Sequence, residues 1–98
     1  MSRLPCCSIV EKEPVCHKFI PEMEEAENER KIIVYVEELE AIRLKDLYKL
    51  DQLACANRMK ISRGTFQRIL QSGRQKIATA LIHGQTIFIQ GEHYKLKG

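Results

Sequence analysis

The stretch DQLACANRMKISRGTFQRILQSGRQKIATALIHG, residues 51–84, decides the fold. Asp51 offers a carboxylate to the free N–H groups of a first helical turn, so a helix is expected over 52–59. Ser62 can do the same for a longer helix from Arg63 to about His83. Gly84 then ends it, because glycine enters the left-handed conformation of a helix C-terminus without a Cβ clash.

Only Lys60-Ile61-Ser62 separates the two helices, and helices joined so tightly must cross steeply. Such a pair, a helix-turn-helix unit, needs apolar residues on its shared inner face and a small residue at the closest approach. Cys55, Met59, Ile61, Phe66 and Ile69 supply the first, and Ala56 the second. Along the longer helix, Phe66, Ile69, Leu70, Gly73, Ile77, Ala80 and Leu81 recur at three- and four-residue spacings and form one stripe. The opposite side presents Gly64, Gln67, Arg68, Gln71 and Gln75.

Charge is distributed unevenly. Residues 1–50 hold eight Lys/Arg and eleven Asp/Glu, whereas residues 51–98 hold eight Lys/Arg and only two acids. From Arg58 to Lys76 there are six cations and no acid. A segment of one sign attracts polyanions, since each neutralised phosphate releases condensed counterions. Arg and Gln also carry the donors and acceptors that read base edges in a major groove. The expected base-reading residues are therefore Arg63, Gln67, Arg68 and Gln71 in the first half of the long helix. Arg58, Lys60, Thr65, Arg74 and Lys76 are expected at phosphates, and Ser62 serves as a helix cap.

Outward from this core, Val36 to Leu50 reads as another helix with two apolar stripes. Leu39, Ile42, Leu47 and Leu50 form one, and Ala41, Leu44 and Tyr48 the other. Ile32-Ile33-Val34-Tyr35 and Thr86-Ile87-Phe88-Ile89 read as short strands. Two four-residue strands are not stable alone, so they should pair with each other or with the N-terminal arm. In that arm Val15–Ile20, between Pro14 and Pro21, is a candidate edge strand. The fold expected is mainly α: a three-helix helix-turn-helix domain over 31–98 with a small β element, preceded over 1–30 by an arm and the acidic run EMEEAENE (22–29).

With 98 residues, 44% of them hydrophobic and 30% charged, the chain suits one globular domain. Its apolar runs are too short for a membrane span or a signal peptide, so a cytoplasmic address is expected. Cys6, Cys7, Cys16 and His17 could ligate a metal, but their C-C-x8-C-H spacing differs from the paired C-x2-C of structural zinc, and thiols are the expectation. No phosphate-cradling glycine loop, nucleophile elbow or carboxylate–histidine pair is present, so neither an enzyme nor a cofactor is expected.

The stretches VYVEELEAIRL (34–44), RMKISRGTFQRILQSGRQKIATAL (58–81) and GQTIFIQGEHY (84–94), with KFIP (18–21) as a weaker match, resemble the domain of unknown function 134 family. That resemblance implies small prokaryotic DNA-binding proteins whose helix-turn-helix is similar to the promoter-reading domain of sigma factors. It matches Ser62, Arg63, Thr65, Phe66 and Arg68 to the recognition-helix motif. It also implies glycine at the turn, where this chain has Lys60. The resulting expectation is sequence-specific binding of double-stranded DNA by a transcriptional regulator, with homodimerisation open. The alternatives are a protein-interaction module using Ala41, Leu44 and Tyr48, and a thiol- or metal-responsive regulator.

Overall fold

The computed structural model describes residues 8–23, 30–91 and 94–97. Among these are three α-helices and five short strands: β1 Ser8–Val10, β2 Lys18–Phe19, β3 Lys31–Tyr35, α1 Val36–Ile42, α2 Gln52–Met59, α3 Arg63–His83, β4 Thr86–Gln90 and β5 Tyr94–Leu96. The chain is thus mainly helical with small β elements.

β3 and β4 run parallel in register Ile32↔Ile87 and Ile33↔Phe88, so all three helices form the crossover between them. β2 adds antiparallel on the other side of β4, giving the order β2-β4-β3. The expected pairing of the two central strands with each other and with the arm is therefore what forms. The arm contributes less than Val15–Ile20: only Lys18 and Phe19 pair, and Val15 is exposed. Pro14 and Pro21 bracket the segment and have no N–H to extend the ladder. A pairing that the sequence did not suggest joins the two ends, β1 lying parallel to β5 with Ile9 opposite Lys95. Cys6, Cys7, His93 and most of the acidic run lie outside the described residues.

Two apolar clusters hold the layers together. Between the helices, Ala41, Leu44, Cys55, Ala56, Met59, Phe66 and Leu70 are buried, with Ile42, Leu50, Ile61 and Ile69 packed on them. On the sheet side Val10, Val36 and Ile89 are buried, flanked by Leu39, Ile87 and Tyr94. α1 is wedged between them, as its two apolar stripes required.

The expected helix over 36–50 is corrected in its last turns. Beyond Ile42 it widens into a π-helical turn over Arg43–Leu47, with the Tyr48 N–H donating to the Arg43 carbonyl at 3.0 Å. Each residue of a π turn shifts the phase relative to a 3.6-residue helix, so the stripe moves off the core. Leu47 and Tyr48 consequently stand exposed, while Ala41 and Leu44 are fully buried. Lys49 adopts φ 59°, and the Leu50 N–H donates to the Leu44 carbonyl at 3.1 Å, so a left-handed residue closes the widened turn. Leu81, expected on the inner stripe of α3, is also exposed, because the stripe outruns its helical neighbours by then.

Candidate nucleic-acid interface

Local chemistry sets the α2–turn–α3 segment. The Asp51 carboxylate accepts the Ala54 N–H at 2.8 Å, and the Ser62 hydroxyl accepts the Thr65 N–H at 3.1 Å, so both expected caps form. Lys60 closes α2 at φ 60°, ψ 43°, a left-handed conformation that a non-glycine residue adopts at a cost of about 1 kcal/mol. The turn is held by the Ile61 N–H donating to the Ala56 carbonyl at 3.0 Å. Met59 and Phe66, either side of the turn, are wholly buried and fix the two helices against each other.

The first half of α3 stands clear of the rest of the molecule. Arg63, Gln67, Arg68 and Gln71 are all exposed, and among the described residues none of their side chains makes a hydrogen bond or ion pair. At Gly64, between them, an added Cβ would meet nothing within 4 Å. The spacings 63, 67, 71 and 64, 68, 71 place these residues in adjacent rows on one open side of the helix.

The expected phosphate-binding residues divide into two sets. Lys60 is exposed and unpaired among the described residues. Thr65 bonds locally to the Ser62 hydroxyl at 3.0 Å. Arg58, Arg74 and Lys76, by contrast, are held by carboxylates from the N-terminal half. Arg58 grips Glu11 through Nε at 3.1 Å and Nη2 at 2.7 Å. Arg74 grips Asp46 in the same two-pronged way at 3.1 and 2.6 Å. Lys76 donates to Glu38 at 2.9 Å and sits 4.3 Å over the Tyr35 ring.

These carboxylates are what reasoning from the sequence missed. Glu37, Glu38 and Glu40 of α1 are buried, although acids on a helix ordinarily face water. Glu38 accepts the Tyr35 N–H at 2.9 Å, the Ser72 hydroxyl at 2.6 Å and Lys76, tying α1 to α3. Glu40 takes a two-pronged bond from Arg43 and the Glu11 N–H at 3.0 Å. The Arg58 guanidinium holds the Glu11 carboxyl below the usual carboxylate range, with Lys97 and Arg43 adding to the effect. Arg74 does the same for Asp46. The partners in Glu11–Arg58, Asp46–Arg74 and Glu38–Lys76 lie 28 to 47 residues apart, so no local spacing announces those pairs, whereas Glu40–Arg43 has an i, i+3 helical spacing.

Of the residues considered for a metal, Cys16 is exposed and its thiol donates to the Lys18 carbonyl at 3.2 Å. No group of three or more His, Cys, Asp or Glu side chains converges among the described residues. Cys55 is buried in the helical core, and burial pushes its thiol pKa up. No helix among the described residues is long and apolar enough to cross a membrane.

Fold and surface together define a small helical domain with an open, acid-free helix face flanked by clamped cations. Its family is settled by the sequence. The profile of the family described as "Protein of unknown function DUF134" matches residues 2–97, and the chain belongs to that family. Among its relatives, a UPF0251 protein of Thermoanaerobacter sp. (strain X514) is 47% identical over 96 residues, covering 98% of this chain and 85% of its own. One of Caldanaerobacter subterraneus subsp. tengcongensis is 58% identical over 67 residues, 68% of this chain and 57% of its own. A third, of Moorella thermoacetica, is 46% identical over 98 residues, all of this chain and 66% of its own. No solved structure matches the chain significantly.

Proposed function

We propose that the protein binds double-stranded DNA sequence-specifically and regulates transcription, with α2, the turn and α3 acting as a helix-turn-helix. The observation that carries this reading is the unpartnered face of Arg63, Gln67, Arg68 and Gln71, with no acid in its stretch of chain. A surface built for water alone ordinarily mixes both signs of charge. Here Arg and Gln, the side chains best suited to guanine and adenine edges, project from the N-terminal half of a helix whose other face is locked into the core. Lys60 and Thr65 would hold phosphates on one flank. Arg74, Lys76 and Arg58 would do so by exchanging carboxylate for phosphate. On this reading the protein works in the cytoplasm, beside the chromosome.

The competing reading, a protein-interaction module using Ala41, Leu44 and Tyr48, has less to support it, because Ala41 and Leu44 are fully buried and only Tyr48 of the three is exposed. The test is duplex binding followed by fluorescence anisotropy. Arg68→Ala should weaken binding by about 5- to 150-fold and relax preference at one base pair, as expected when a bidentate pair to a base is removed. Unchanged affinity and preference would refute the base-reading assignment.

A further inference from the structure

A groove of about 520 Å³ lies beside the turn, between the end of α2 and the β1–β5 ribbon. Arg58, Lys60, Lys95 and Lys97 line it against a single carboxylate, Glu11. That carboxylate is already matched, accepting from Arg58 at 2.7 Å and from Arg43 at 3.2 Å. The ribbon's register explains the convergence of charge. Ile9 pairs with Lys95, and the Lys97 N–H donates to the Val10 carbonyl at 2.9 Å, so alternation puts Ile9, Glu11, Lys95 and Lys97 on one side. Tyr94 packs with Val10 against the core from the other side. Lys60, Lys95 and Lys97 are exposed, and none of their side chains makes a hydrogen bond or ion pair among the described residues, although Lys97 lies near enough to Glu11 to help lower its carboxyl pKa.

We infer that this groove seats phosphates of the DNA backbone at one lip of the major groove that α3 enters, making the C-terminal strand a second contact. The inference rests on the proposed DNA-binding function and extends it to residues outside the helical unit. Geometry supports it: Lys60 precedes Arg63 by three residues, so their Cα atoms stand no more than about 11 Å apart. The major groove is ~12 Å wide, so a helix within it brings Lys60 and the adjoining ribbon to the flanking phosphates. Lysine suits that task as a mobile point charge, whereas base edges call for the planar donors of Arg and Gln on α3.

The test compares wild type, K95A/K97A and K95R/K97R for binding to a 20-bp duplex between 50 and 200 mM salt, with thermal melts to show that all three fold alike. Each phosphate held contributes about −0.9 to the slope of log K against log salt, so K95A/K97A should flatten the slope by about 1 to 2. At 0.1 M salt, affinity should fall on the order of tenfold for each phosphate no longer held. Base preference should stay unchanged, and K95R/K97R should restore the slope. If wild type binds and K95A/K97A binds with the same slope, or with altered base preference, the inference is overturned while the helix-turn-helix reading stands. If wild type binds no duplex at any salt, both are overturned.

Discussion

Replacing Glu38 with alanine should destabilise the protein by cutting a tie between α1 and α3. The carboxylate is buried and serves three donors, the Tyr35 N–H, the Ser72 hydroxyl and the Lys76 ammonium. Losing the reciprocal bond at the start of α1 costs roughly 1 kcal/mol. A half-buried Ser72 hydroxyl without its acceptor costs about 1–3 kcal/mol. Lys76 adds less than about 1 kcal/mol, because its side chain keeps access to water and to the Tyr35 ring. Alanine returns a few tenths of a kcal/mol through helix propensity, roughly cancelling the smallest of these terms. The net loss should be about 3 kcal/mol, or some 12–24 °C in Tm for a domain of this size. Glu38→Gln keeps one acceptor oxygen, for the Tyr35 N–H, while its NH2 can donate to the Ser72 hydroxyl oxygen in place of accepting from it, so it should lose less than alanine does. Urea unfolding followed by circular dichroism measures both variants. A loss below about 1 kcal/mol for Glu38→Ala would refute the claim that this carboxylate joins α1 to α3.

Other consequences are as direct. Phe66→Ala, at a wholly buried position, should cost about 3–5 kcal/mol in the same assay. Lys60→Gly should relieve the left-handed backbone and stabilise the fold by about 1 kcal/mol, yet weaken duplex binding, two effects of opposite sign on one residue. Glu11→Gln or Asp46→Asn should release Arg58 or Arg74 and raise duplex affinity by up to about fivefold, the range set by exposed ion pairs, which anisotropy titration would show. Glu11 and Asp46 both have folded pKa values below their unfolded ones. Their contribution to stability is therefore complete above the ordinary carboxylate range of about pH 4 and is lost as pH falls through the depressed values. A Glu11→Gln/Asp46→Asn double variant should flatten that acid limb in unfolding curves taken from pH 6 to pH 2.

What the sequence discloses well is what neighbours in the chain decide. Asp51 and Ser62 cap helices because a short acceptor beside free N–H groups needs nothing distant, and Gly84 ends α3 at φ 64° for an equally local reason. The stripe from Phe66 to Ala80 packs as its spacing requires, up to the point where Leu81 runs past the other helices. The misreadings have distant or cooperative causes. Leu47 and Tyr48 continue a 3.6-residue pattern on paper, but the π turn at Arg43–Leu47 turns them outward. Glu38 looks like a solvated acid until the fold brings Lys76 to it, and Glu40 until the fold brings the Glu11 N–H, although Arg43 stands only three residues away from Glu40. Arg58 and Arg74 look free in the sequence for the same reason, since their partners lie in the other half of the chain. The β1–β5 pairing joins the chain's two ends, and with it Lys95 and Lys97 become neighbours of Lys60.

On the proposed function, the open face of α3 reads DNA. Selection of bound sequences from a random duplex library at 0.1 M salt tests it most directly. A base-reading face yields a defined recovered motif, with Arg68→Ala losing discrimination at one of its positions while the rest of the motif survives. A library that emerges without sequence enrichment, or an Arg68→Ala protein that selects the same motif as wild type, would contradict it.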